Sequence, residues 1–124
     1  MRPKKAALLK LAPLAVLLLL AAFICSSSMA QEAKQVIKVS AKKFEYSPSQ
    51  ITVKKGVPVV LELTSLDRLH GFNCPALGIR SDINPGETTT IEFTPQTAGT
   101  FPFHCDNFCG SGHESMQGTI IVTE

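Results

Sequence analysis

Val57-Pro58-Val59-Val60-Leu61-Glu62-Leu63-Thr64 decides the fold: Val57, Val59, Leu61 and Leu63 fall on one side of an extended chain, Glu62 and Thr64 on the other. Apolar residues at every second position suit a strand with one buried face and leave no helical stripe. The alternation recurs after a Pro85-Gly86 turn, where Thr89, Ile91 and Phe93 interleave with Thr88, Thr90, Glu92 and Thr94. Upstream, Val36–Val39 and Phe44–Tyr46 precede a Ser47-Pro48 turn, and Ile51–Val53 ends at Lys54-Lys55-Gly56. Beyond an Ala98-Gly99 break come Thr100–Cys105 and finally Gly118–Val122. No stretch after Gln31 repeats apolar residues at helical spacing. Seven or eight short strands, with turn signals roughly every 8–12 residues, predict an all-β sandwich or barrel.

The full chain of 124 residues is too short for more than one such domain, and beyond position 30 it is too polar for a multispan membrane protein. Its formal net charge of +2 hides an asymmetry, because all charge before Glu32 is positive: Arg2, Lys4, Lys5 and Lys10. Without those four, eight Lys and Arg face ten Asp and Glu, a net of −2 for residues 31–124. A slightly acidic domain has no general attraction to phosphate, so nucleic acid is not an expected partner. A domain of this size hides roughly two-thirds of its unfolded surface, enough for a modest core. There is no internal repeat or low-complexity tract, and only Gln31–Lys34 reads as a short tail.

Residues 1–30 read as an address. A basic start at Arg2, Lys4 and Lys5 leads into the fifteen-residue apolar run Leu11–Cys25, and Ser26-Ser27-Ser28-Met29-Ala30 supplies small residues around a cut after Ala30. That is the layout of a secretory signal peptide. A spanning helix wants about 20 apolar residues, and Lys10 and Pro13 interrupt any extension of this run toward the N-terminus, although an uncleaved single anchor is the competing reading. Both place residues 31–124 outside the cytoplasm, in the periplasmic or extracytoplasmic space, with residues 1–30 as the only membrane contact if uncleaved. Disulfides and copper are both chemically permitted there.

The chemistry gathers near the C-terminus. Cys105, Cys109, His113 and Met116 lie on one loop between the last two expected strands, and His70 stands thirty-five residues before Cys105. Thiolate, imidazole and thioether form a soft donor set, which selects copper; zinc has little use for the thioether. Gly110 and Gly112 let the loop fold back so that these side chains can converge. Strand parity puts Phe101, Phe103 and Cys105 on one face and turns His104 outward with Thr100 and Pro102. Phe72 reads as core filler. Cys105 and Cys109 could instead form an ordinary disulfide, His70 could be a satisfied strand-end histidine, and Met116 could be core packing; it is their joint occurrence that argues for a metal. No Ser-centred elbow motif appears, so nucleophilic hydrolysis has no support and no catalytic site of its own is expected.

Cys-x3-Cys-x3-His-x2-Met with an upstream His resembles the binuclear copper (CuA) site of the cupredoxin domain in cytochrome c oxidase subunit II and in the C-terminal domain of nitrous oxide reductase. The resemblance covers the last 58 positions, from Asp67 onward, through Leu69-His70-Gly71-Phe72, Asp82-Ile83-Asn84-Pro85-Gly86, Pro102–Met116 and Gly118–Val122. It implies a cupredoxin-like Greek-key sandwich or barrel over residues 31–124 that carries electrons through two copper ions. Cys105 and Cys109 would bridge the coppers, and His70 and His113 would bind one each. Met116 and the backbone carbonyl of Asn107 would be weak axial donors. The implied partners are a redox protein such as cytochrome c and the catalytic subunit of a terminal oxidase.

Several features depart from that pattern. Subunit II usually has Glu where this chain has Asn107, the tryptophan-rich segment is missing because there is no Trp, and the two-helix membrane hairpin is absent. Phe44 and Tyr46 occupy a comparable stretch, with core packing as their default role. Cys74 matches no ligand position and reads as a buried free thiol, with copper transfer or pairing to another chain as alternatives. Two further functions use the same residues: a copper carrier or chaperone holding Cu(I), and a thiol–disulfide protein acting through Cys105 and Cys109.

Overall fold

The computed structural model describes residues 33–124; the expected signal or anchor at 1–30 lies outside the described residues. Nine strands are present among them: β1 (Gln35–Lys42), β2 (Glu45–Ser47), β3 (Gln50–Lys54), β4 (Val59–Ser65), β5 (His70–Cys74), β6 (Ile79–Ile83), β7 (Thr88–Phe93), β8 (Gly99–His104) and β9 (Gln117–Thr123). Single 3-10 turns occupy Pro75–Leu77 and His113–Ser115. The all-β sandwich read from the alternation is the architecture found. The count exceeds the expected seven or eight because β5 and β6 form a hairpin around Pro75–Leu77. Ile79–Ile83 alternates only weakly in sequence, with Arg80 and Asp82 between its apolar residues.

One sheet runs β2-β1-β4-β7 and the other β3-β9-β8-β5-β6. Two pairings are parallel, β1 with β4 (Val39 opposite Leu63) and β3 with β9 (Ile51 opposite Ile120). Neither is visible in the alternation, because parallel neighbours must be brought together by chain that crosses between sheets. Val39, Val59, Leu61 and Leu63 from one sheet meet Ile51, Val53, Phe72, Phe103 and Ile120 from the other in a single buried cluster. Phe72 and Phe103 stack with centroids 4.4 Å apart, and Tyr46 sets its edge against both. Aromatic pairs in such offset or edge-on arrangements add to the burial of their area.

Topology gathers the chemistry at one end. In the antiparallel pair β5·β8, Asn73 sits opposite His104. The start of β5, which is His70, therefore lies beside the chain leaving β8, and β9 begins at the same end. The loop between β8 and β9 is closed at its base by Cys105 N–H donating to Met116 C=O at 3.1 Å.

Candidate metal centre

His70, Cys105 and Cys109 are all buried, and their donor atoms lie within 4.8 Å of one another. Each arrives by a different route. His70 is the first residue of β5, Cys105 follows the last residue of β8 on the inward parity of Phe103, and Cys109 comes back under them after the turn Asp106–Phe108. The turn at His113–Ser115 then returns the chain: His113 Nδ1 is 3.5 Å from Cys109 Sγ, and Met116 Sδ is 3.8 Å from the same sulfur. The Asn107 carbonyl oxygen lies 3.1 Å from Cys105 Sγ and accepts its thiol hydrogen bond. Phe44 packs over the loop so closely that a Cβ on Gly112 would fall 2.3 Å from its ring. His104 is exposed, as strand parity required, while Phe72 is buried in the middle of β5.

Cys105 and Cys109 are free thiols with their sulfurs 3.8 Å apart, far beyond the roughly 2.05 Å of a disulfide. Asp67 Oδ1 holds Nε2 of His70 at 2.7 Å, so Nε2 carries the ring proton and Nδ1 presents its lone pair. Nδ1 has no hydrogen-bond partner, the only such buried side-chain nitrogen or oxygen among the described residues. An orphaned buried nitrogen beside two thiols fits a metal ion far better than an empty interior, since buried polar groups are otherwise satisfied.

Residues 15–122 match the Cupredoxin-like domain family. The chain belongs to that family. Over 88 residues this cupredoxin-like domain is 38% identical to cytochrome c oxidase subunit 2 of Thermus thermophilus, covering 71% of this chain and 65% of that protein. Over 93 residues it is 32% identical to nitrous-oxide reductase of Cupriavidus necator, covering 72% of this chain and 14% of that one. The chain therefore spans just under two thirds of the first relative and a small part of the second. The periplasmic domain of cytochrome oxidase subunit II from Bradyrhizobium japonicum superposes with a TM-score of 0.68 at 22% identity, covering 77% of this chain and 88% of that one, a likeness of fold.

Burial dominates the electrostatics of this cupredoxin-like site. Burial pushes the Cys109 thiol up to about 11, with the neighbouring Cys105 adding to the rise and Arg68 opposing it. Without a metal the thiol keeps its proton, so binding must displace it. Arg68 also donates from Nη1 to the Cys109 carbonyl at 3.0 Å, and the Gly71 N–H donates to Cys105 Sγ at 3.3 Å. Burial drives the Tyr46 hydroxyl upward too, and so would any negative charge placed on the nearby Cys105 or Cys109 sulfur. It stays protonated and donates to the Gly71 carbonyl at 2.5 Å. Asp67, Arg68, Gly71 and the Tyr46 hydroxyl were not singled out as site residues from sequence. Only Asp67 carried a usable signal, a carboxylate three positions before a candidate histidine ligand.

Proposed function

We propose that this chain is an exported copper protein that passes single electrons through a CuA-like binuclear centre, as cytochrome c oxidase subunit II or in its manner. What carries the reading is the pair of buried free thiols 3.8 Å apart beside the unpartnered His70 Nδ1. Similarity to oxidase subunit 2 and nitrous-oxide reductase supports it. Cys105 and Cys109 would bridge two coppers, His70 and His113 would hold one each, and Met116 and the Asn107 carbonyl would be weak axial donors. A bound copper pair supplies a one-electron couple shared over two metals and two sulfurs.

The protein's own part is to keep that arrangement still. Four side-chain donors and the Asn107 carbonyl come from one loop closed at its base, and a rigid sandwich holds them alike in both oxidation states. Phe72 and Phe103 are fully buried in the same cluster as Cys105 and Cys109, which keeps that interior dry. His113 is only half-buried and lies beside Phe108, which is 80% exposed, so electrons would enter or leave on that side. The redox partner would be a cytochrome c, the catalytic subunit of a terminal oxidase, or both. The extracytoplasmic location rests on the basic start and apolar run of residues 1–30.

Copper analysis and electron spin resonance of the purified protein test this directly. Two coppers per chain are expected, with one unpaired electron coupled to both nuclei. Saturation at one copper, with the hyperfine pattern of a single nucleus, overturns the binuclear reading. Ready release of Cu(I) to a partner without reversible oxidation and reduction would instead make the chain a copper carrier.

A further inference from the structure

Beside the donor atoms, one polar network is built onto the turn between the two cysteines. Arg80 on β6 reaches across to it, Nε and Nη2 each donating to a different oxygen of Asp106 at 2.9 Å. Its Nη1 lies 2.7 Å from Asp82 Oδ1, and that same oxygen accepts from Asn107 Nδ2 at 2.7 Å. Two consecutive side chains of the turn are therefore tied to two residues of one edge strand. Single exposed ion pairs contribute little. A bidentate guanidinium–carboxylate fork is different, because it fixes direction as well as distance. The tied residues flank one peptide bond, and the next carbonyl along, that of Asn107, is the one 3.1 Å from Cys105 Sγ.

We propose that Arg80 and Asp82 are positioning residues for the metal centre. Through Asp106 and Asn107 they hold the Asn107 carbonyl oxygen at the distance that sets its weight as an axial donor. This rests on the binuclear reading above and adds to it the residues that tune the site. Neither Arg80 nor Asp82 offers a donor atom to the metal; they act through the turn, as outer-sphere partners do. Letting the carbonyl drift outward weakens donation to the oxidised site, which favours the reduced form and raises the potential.

Three variants separate the parts. Asp82→Ala removes the shared acceptor, Asn107→Ala keeps the carbonyl but cuts its tether, and Arg80→Lys keeps the charge but loses the fork. Ile120→Val, a buried change on β9, serves as a control for general destabilisation. Wild-type copper is counted first. Fewer than two per chain overturns the binuclear reading, and this proposal with it, before any variant is made. With two bound, Asp82→Ala and Asn107→Ala are expected to keep both coppers. Relative to wild type and the control, they should show a raised reduction potential and a shifted visible spectrum. They should also lose copper to a Cu(I) chelator about tenfold more readily. Arg80→Lys should fall between. In copper-free protein, amide exchange at Asp106, Asn107 and Phe108 should quicken severalfold in Asp82→Ala while β3 and β9 stay as they were. An unmoved potential in Asp82→Ala or Asn107→Ala with both coppers bound overturns the proposal, and so does unmoved exchange in the turn.

Discussion

Asp67 Oδ1 sits 2.7 Å from Nε2 of His70, and that contact fixes which nitrogen of a fully buried imidazole is left to bind anything else. Asp67 is itself braced, accepting from the backbone N–H of Lys43 at 2.8 Å and of Arg68 at 2.7 Å. The carboxylate thus joins the β1–β2 turn to the start of β5. Asp67→Ala frees the imidazole to rotate or to change tautomer. Copper affinity should fall about 10- to 100-fold, as for other lost partners of a ligating histidine. Competition against a Cu(I) chelator measures it, and an unchanged affinity would show that packing alone orients His70.

The same carboxyl gives a pH dependence whose sign can be worked out. Partial burial pushes Asp67 up, but the Lys43 N–H, the His70 ring and the Arg68 N–H outweigh it and hold the group at about 2, below its ordinary 3.8. The folded state thus binds this proton less readily than the unfolded one, so the contribution to stability is complete above about pH 5 and is lost as pH falls through 3.8 toward 2. In copper-free protein, the stability gap between wild type and Asp67→Ala should narrow steadily between about pH 5 and pH 2. Denaturant midpoints across that range test this; a constant gap would mean that the carboxyl titrates alike in both states.

How far the sequence reached follows from the range of its signals. Alternation is local, so the buried Val59, Leu61, Leu63 and Phe103 and the outward His104 could be read from parity alone. The clustering of His70 with Cys105 and Cys109 came from donor chemistry and from spacing that resembles a known site. The parallel pairs β1·β4 and β3·β9 could not be read, because nothing in either strand names its partner. Arg80 and Asp82 escaped for a related reason. An Arg and an Asp on a half-exposed strand look like solvated surface until the fold brings Asp106 and Asn107 alongside.

Tyr46→Phe should destabilise the copper-free domain. The hydroxyl supplies the bond to the Gly71 carbonyl at 2.5 Å, and the ring packs edge-on to Phe72 and Phe103. Phenylalanine keeps the aromatic packing and strands a buried carbonyl, at a cost of about 1–3 kcal/mol. Urea unfolding measures it, and a change near zero would mean that another group satisfies Gly71.

Cys109→Ser tests the sulfur pair at its centre. Serine removes the atom that lies 3.8 Å from both Cys105 Sγ and Met116 Sδ and puts a hard oxygen in its place. The copper count should drop, and coupling of one electron to two nuclei should vanish. His104→Ala, next to Cys105 in sequence but exposed on the other face, should leave both intact. A two-nucleus signal surviving in Cys109→Ser would remove this sulfur from the site.

Gly71→Ala asks whether the turn between the cysteines needs bare backbone beside it. A Cβ at this position would fall 2.0 Å from Asp106 Oδ1 and 3.1 and 3.2 Å from the backbone nitrogens of Asp106 and Asn107. The carboxylate is the end of a side chain and could swing away, but only by abandoning its two bonds to Arg80. The backbone nitrogens have no such freedom without moving the turn. Alanine should therefore push Asp106 and Asn107 outward, disturb the Gly71 N–H bond to Cys105 Sγ and lower copper loading, while the core around Ile51, Leu61 and Ile120 stays folded. Copper stoichiometry alongside far-ultraviolet circular dichroism separates these effects. Full loading with an unaltered spin signal would show that the turn has slack in which to absorb a methyl group.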